Sequence, residues 1–425
     1  MQIVHVLNRY TNSSAALLLC LACCATTFAE ETTSPVNAAL TTAPQQTETA
    51  SASTTKSTAL KPIDSSTKIK PAEFTKVSDG TWETKWHKAQ FPFDELVYYW
   101  NARLERDEGF RLYLQVNFPG GEESPWLYGG FWGRVPLVRE ARKRPKFEHG
   151  KVAEDQLLLE KRATAWRFRL VSEGKRSLSK PPLMGVITTD NNPTEELAAR
   201  FDHTSPDSIP APGILDIPLC RQEDSGGNYL KDRCQSAAVG SAMDYFGTTV
   251  PLEQIISFTT DPEYRSFGIW PRTINTAYEF GFEAYLDRFR DWEKVKKTVA
   301  ENKVILCSIT MPEDDTYIDP PYARIGGHIV ALCGVTDDGR VIVTDSARRA
   351  IGYLEQWKTP DFEKIWMRNK GGIGMVICPP KDSAPRHVKN LPAFPDYSKI
   401  RARDPEATED ETTGTLQDQA TTSAR

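Results

Sequence analysis

The apolar residues of this chain change their period once, across the proline-rich stretch HTSPDSIPAPG at 203–213. Before it, DELVYYWNAR, FRLYLQVNF, SPWLYGGFWGR, DQLLLEK and AWRFRLVS each alternate or run apolar for the length of a strand between turn residues. Five or more short strands with Gly and Pro between them favour an antiparallel sandwich. After it, helix-spaced segments come first and strands follow. A period of two buries one face of a sheet and a period of 3.6 buries one stripe of a helix, so the change separates two kinds of layer. The expected organisation is a mostly-β sandwich over 74–202, a hinge over 203–213 and an α+β part over 214–380.

Both flanks read differently. Residues 30–73 and 381–425 are rich in Thr, Ser, Ala, Pro and Gln, too poor in apolar surface to offset the entropy of ordering, and are expected as a tether and a disordered tail. Arg9 and the apolar run from Ala15 to Cys24 read as a secretory signal, too short to span a bilayer, with cleavage after Ala29. LACC at 21–24 loosely resembles a lipobox, so a lipid anchor is the alternative to soluble export. The net charge of −5, with no basic face, excludes nucleic acid as the expected partner. The densest basic run, REARKRPK at 139–146, reads as a solvated loop rather than a phosphate site.

Cleavage at Ala29 leaves five of the eight cysteines: Cys220, Cys234, Cys307, Cys333 and Cys378. An odd number in an exported chain leaves at least one thiol unpaired. Cys307, Cys333 and Cys378 sit in strand-like runs and read as small buried hydrophobes. Cys234 opens CQSAAVGSAMDYFG, where Val239, Met243 and Phe246 share a helical face and Gly247 stops it. A thiol at a helix start meets unpaired N–H groups that favour its thiolate. A nucleophilic thiol needs a base, and His328 is the one histidine of 214–380; its imidazole in turn needs an orienting acid. In IGGHIVALCGVTDDGRVIVTDSA (325–347), a four-residue loop at 336–339 places Val335 opposite Arg340 and Val330 opposite Asp345. His328 and Asp345 are then diagonal neighbours, roughly 7 to 8 Å apart at the backbone. A two-residue turn would lose that contact. Three residues so far apart in sequence are a weak motif, and spacing alone favours a buried His and a structural Asp over catalysis.

Order and spacing add to this. LDIPLCRQ, CQSAAVGSAMDYFG, GIWPRTINTAYEFGF, GGHIVALCGVTDDGRVIVTDSA and FEKIWMRNKGGIGMVI together resemble the bacteriocin-processing-like cysteine peptidases, a branch of the papain-like fold, over 214–378. FPFDELVYYWNA, SPWLYGGFWG and DQLLLEKRATAWRFRL look like the β-sandwich that accompanies some exported bacterial members. The resemblance implies an α+β, papain-like peptidase domain with its cysteine-bearing helix on an antiparallel sheet. It implies Cys234 as nucleophile, His328 as base, Asp345 as orienting acid and Gln222 as an oxyanion donor. Relatives often have a small residue and proline after the cysteine, and Asp-Pro at the acid; this chain has Gln235, Ser236 and Ala237, and Asp345-Ser346.

The function expected is an exported hydrolase that cleaves peptide bonds in a peptide or protein substrate through a thioester, with no cofactor or metal. The alternatives are a catalytically silent relative that binds peptide or polysaccharide, and a redox or structural thiol protein, which the lack of Cys-x-x-Cys argues against. The sandwich is expected to hold the enzyme on a surface-bound polymer. Its Trp100, Trp126, Trp132 and Trp166 are expected to pack the core rather than form a sugar-stacking platform.

Overall fold

A computed structural model describes residues 60–135, 143–153, 155–201, 210–348, 351–380 and 394–396. The first ten strands are β1 (Ile63–Ile69), β2 (Phe74–Ser78), β3 (Thr81–Thr84), β4 (His87–Asn101), β5 (Gly109–Asn117), β6 (Leu127–Gly133), β7 (Lys146–Phe147), β8 (Gly150–Ala153), β9 (Gln156–Glu173) and β10 (Leu183–Asp190), followed by helix α1 (Glu195–Arg200). All are antiparallel and belong to one hydrogen-bonded network. The long strands explain this. DQLLLEK and AWRFRLVS, expected as two strands, are the ends of β9, which pairs with β8 and β4 near its start and with β5 and β3 further on. Pro92 lies inside β4, and the β4–β9 register shifts on both sides of Phe93, as expected where a residue cannot donate to the ladder.

The tether expected over 30–73 does not reach 73. IDSSTKI is the edge strand β1, in register with β10 from Ile63↔Asp190 to Ile69↔Met184. An edge strand held by backbone hydrogen bonds needs few apolar side chains, and here Ile63 and Ile69 are buried among polar neighbours. Composition alone therefore misses it. Trp100, Trp132 and Trp166 are buried and pack the core as expected, whereas Trp126 is only half-buried, with the Arg167 and Arg169 guanidiniums over its ring.

The second half runs α2 (Cys234–Tyr245), α3 (Leu252–Thr259), α4 (Trp270–Glu279), β11 (Ala284–Arg288), α5 (Trp292–Ala300), β12 (Val304–Met311), β13 (Ile325–Val335), β14 (Arg340–Thr344), β15 (Glu355–Lys358), α6 (Thr359–Phe362) with a π-helical continuation (Glu363–Arg368), and β16 (Ile373–Ile377). The sheet is antiparallel throughout, in the order β11-β16-β12-β13-β14-β15. Helix α2 packs on β13. Its small residues allow this: Gln235 to Met243 are all buried, and a side chain at Gly240 would meet the Cys220 sulfur at 3.0 Å. No helix among the described residues is long and apolar enough to cross a membrane.

The β13–β14 hairpin differs from expectation at its tip and agrees at its base. Val335 pairs with Val341 instead of Arg340, but Cys333 forms a bulge, and beyond it Ala331 pairs with Thr344 in the expected register. The bulged Cys333 carbonyl accepts the Leu215 N–H, and Thr344 Oγ1 donates to the Ile217 carbonyl.

The two sheets are joined by buried polar contacts. Asn275 of α4 accepts from the Ala102 N–H and donates to its carbonyl at the end of β4. Arg134 pairs with Glu279 at 2.7 Å, Arg111 with Glu263 at 2.8 Å, and Arg288 with Glu95. Arg272 donates to the Phe131 carbonyl. The described residues thus form one compact unit. Within 381–425, expected as a tail, residues 394–396 are described: the Phe394 ring stacks on Phe258 at 4.1 Å, close to Trp132 and under Arg134. An aromatic residue in a polar tract is a small signal, but a preformed slot suffices to bind it.

Candidate active site

Cys234 is the first residue of α2, and no side chain caps that helix start. First-turn N–H groups without a side-chain acceptor favour negative charge beside them. The sulfur is half-buried and lines a cleft of about 450 Å³ together with His328. Gly326 and Gly327 line the same cleft, and a side chain on either would meet no atom within 4 Å.

His328 donates through Nε2 to Asp345 Oδ1 at 2.7 Å, which leaves Nδ1 as its other nitrogen. Burial lowers the His328 pKa, but the charge on Cys234 and the Asp345 carboxylate outweigh it and raise the pKa to about 10. Asp345 is closed to solvent. Its Oδ1 also accepts the Ala347 N–H at 2.9 Å, and its Oδ2 accepts the Tyr322 hydroxyl. Burial raises the Asp345 pKa, and His328 with these donors outweighs it and lowers the pKa overall. A carboxylate held by several donors stays charged and fixed in place.

Gln222 is buried between two parts of this site. Its Oε1 accepts the N–H of Arg233, the residue before Cys234, at 3.0 Å, and its Nε2 donates to Ser346 Oγ at 3.1 Å. The four residues singled out from sequence are therefore brought together. Two departures from the family pattern also have structural partners. Ser346 accepts from Gln222. Gln235 donates to the Ile269 carbonyl at 2.6 Å and to Thr273 Oγ1 at 2.7 Å, and accepts the Gly268 N–H at 2.7 Å. It thus clamps the 268–273 wall of the cleft to the helix that carries the thiol.

Sequence reasoning missed Tyr322 and Asp155. Tyr322 packs edge-on against His328 and lies in IDPPYAR, a loop with no periodic signal. Asp155, from the first sheet, accepts the Trp270 N–H at the start of α4. Of the other thiols, Cys307 and Cys333 are buried as expected, Cys378 is half-buried just past β16, and burial raises the Cys220 pKa to about 11.

Two family models match the chain: the peptidase C39 like family over residues 214–373 and the peptidase C39 N-terminal domain over 27–183. A solved structure described as a C39-like peptidase from Bacillus anthracis is 14% identical and covers 40% of this chain and 98% of its own, with a TM-score of 0.31. At that similarity it adds nothing to the assignment. No curated protein matches.

Proposed function

We propose, for a chain that belongs to the peptidase C39 like family, a cysteine peptidase of papain-like arrangement with Cys234 as nucleophile, His328 as acid and base, and Asp345 orienting the imidazole. The observation that carries this is the position of His328, bonded through Nε2 to a buried carboxylate and facing a half-buried thiol across an open cleft. The Cys234 sulfur attacks the scissile carbonyl carbon, and the C–N bond breaks as His328 Nδ1 gives its proton to the leaving amine. Water, deprotonated by the same nitrogen, attacks the thioester, and the sulfur leaves. Gln222 has a second amide N–H beyond the one given to Ser346, and that proton is suited to the oxyanion; loss of such a donor costs on the order of 10² to 10³ in rate.

Export belongs to the same reading. Residues 1–29 lie outside the described structure, and the support for export is the signal-like sequence.

The test is turnover of a peptide mixture by the wild type, Cys234→Ala and Gln222→Ala, with iodoacetamide labelling followed by mass spectrometry. Cys234 is expected to label first and Cys220 slowly, because a thiol raised to about 11 is almost wholly protonated at neutral pH. Cys234→Ala is expected to abolish turnover, and Gln222→Ala to reduce it about 10²-fold or more. Turnover that survives Cys234→Ala rejects the assignment.

A further inference from the structure

The cleft carries more positive charge than the proposed chemistry uses. Besides Cys234 and His328 it is lined by Arg144, Arg265 and Lys370, against a single carboxylate, Asp232. Among the described residues none of the three cations has a carboxylate partner. Arg144 is the informative one. It belongs to the basic run read from sequence as solvated, yet it is half-buried in the cleft wall. One amino group donates to Ser266 Oγ at 3.1 Å, and the guanidinium lies over the Tyr264 ring at 4.5 Å. The other amino group, Nη1, is buried without an acceptor. Holding a partly desolvated guanidinium without an anion is costly, and a carboxylate brought beside it in the cleft would offset that cost through its charge, without reaching Nη1 itself.

We infer that the cleft selects peptides bearing a carboxylate close to the scissile bond, and that Arg144, supplied by the first sheet, is a specificity residue of the site together with Arg265 and Lys370. The inference rests on Cys234 being the nucleophile. The carboxylate is an acidic side chain or the free end of a peptide, two sources of the same chemistry. Guanidinium suits either, because its planar fork matches the two carboxylate oxygens. The first sheet would then help define the substrate directly rather than by tethering.

The experiment uses the full chain and two sets of probes. The first compares the rates at which anionic iodoacetate and neutral iodoacetamide alkylate Cys234. The iodoacetate-to-iodoacetamide ratio is expected to fall at least about threefold in Arg144→Gln/Lys370→Gln, to be kept by Arg144→Lys, and to fall in the wild type near 1 M salt. A ratio unchanged by removal of both charges overturns the inference while leaving the nucleophile in place. Failure of either reagent to modify Cys234 ahead of Cys220 overturns the nucleophile assignment and the inference with it. The second measures protection of Cys234 from iodoacetamide by three short peptides: an end-blocked peptide with one Glu, its Gln counterpart, and that counterpart with a free C-terminus. Stronger protection by the Glu peptide or by the free carboxylate supports the inference and names the source. Equal protection by all three, or by none, overturns it.

Discussion

His328 concentrates the chemistry of the proposed site because its Nε2 is bound to Asp345 and it shares the cleft with Cys234. Asp345 and Cys234 each raise its pKa, to about 10 against an ordinary 6.5. A raised histidine contributes stability that is fully present below about 6.5 and lost as pH rises through about 10. In the proposed mechanism the same proton is the one given to the leaving amine, so the alkaline limb of activity should follow it. Asp345→Asn removes one cause of the rise, and that limb is expected to move to lower pH, with reduced rate and an intact fold, in a pH–rate profile paired with a thermal melt. A melt that collapses while activity per folded molecule persists would make Asp345 a structural acid only. That Cys234, His328, Asp345 and Gln222 lie close together was legible because the roles proposed for them are tied to residue type and to order along the chain. Tyr322 was not, since a tyrosine in a proline-containing loop carries no information about the carboxylate it will meet.

Among the elements, the β13–β14 hairpin shows what register arithmetic can and cannot see. The His328–Asp345 contact was readable from strand length and turn chemistry, whereas the bulge at Cys333 depends on the backbone at 215–217, which strand periodicity does not encode. Edge strand β1 was missed for a related reason: its hydrogen bonds come from backbone, not from apolar side chains. The start of helix α4 is held by Asp155 from the other sheet and by Gln235 through Ile269 and Thr273. Asp155→Ala is expected to cost about 0.5 to 2 kcal/mol, as loss of a helix cap does. A urea titration with unchanged slope and a lower midpoint would show it. An unshifted midpoint would mean that α4 starts without that acceptor.

At the scale of the whole molecule, the first sheet is built into the second half and does not sit apart from it on a hinge. Glu279 and Arg134 face each other with side chains 2% and 1% exposed; burial raises the Glu279 pKa and Arg134 lowers it back in part. Glu279→Ala leaves a buried guanidinium without this carboxylate and is expected to cost about 3 to 5 kcal/mol, measured by chemical denaturation. A chain that starts at Pro210 uncovers Trp270, Ile274 and Asn275 on α4 and is expected to be insoluble or unfolded. A soluble, cooperatively melting fragment would show instead that the halves fold independently. None of this was visible in the sequence, where an arginine that crosses to the other sheet looks like any surface arginine. The pairing also limits recombination between relatives. A chimera that takes 60–201 from one member and 210–380 from another inherits Arg111, Arg134 and Asp155 without assurance of Glu263, Glu279 and the Trp270 turn opposite them. The smallest piece that can be traded intact is therefore the whole span from β1 to β16, and a swap at the proline-rich joint alone should yield hybrids in which Cys234, His328 and Asp345 are all present but the 268–273 wall has lost its hold on the first sheet.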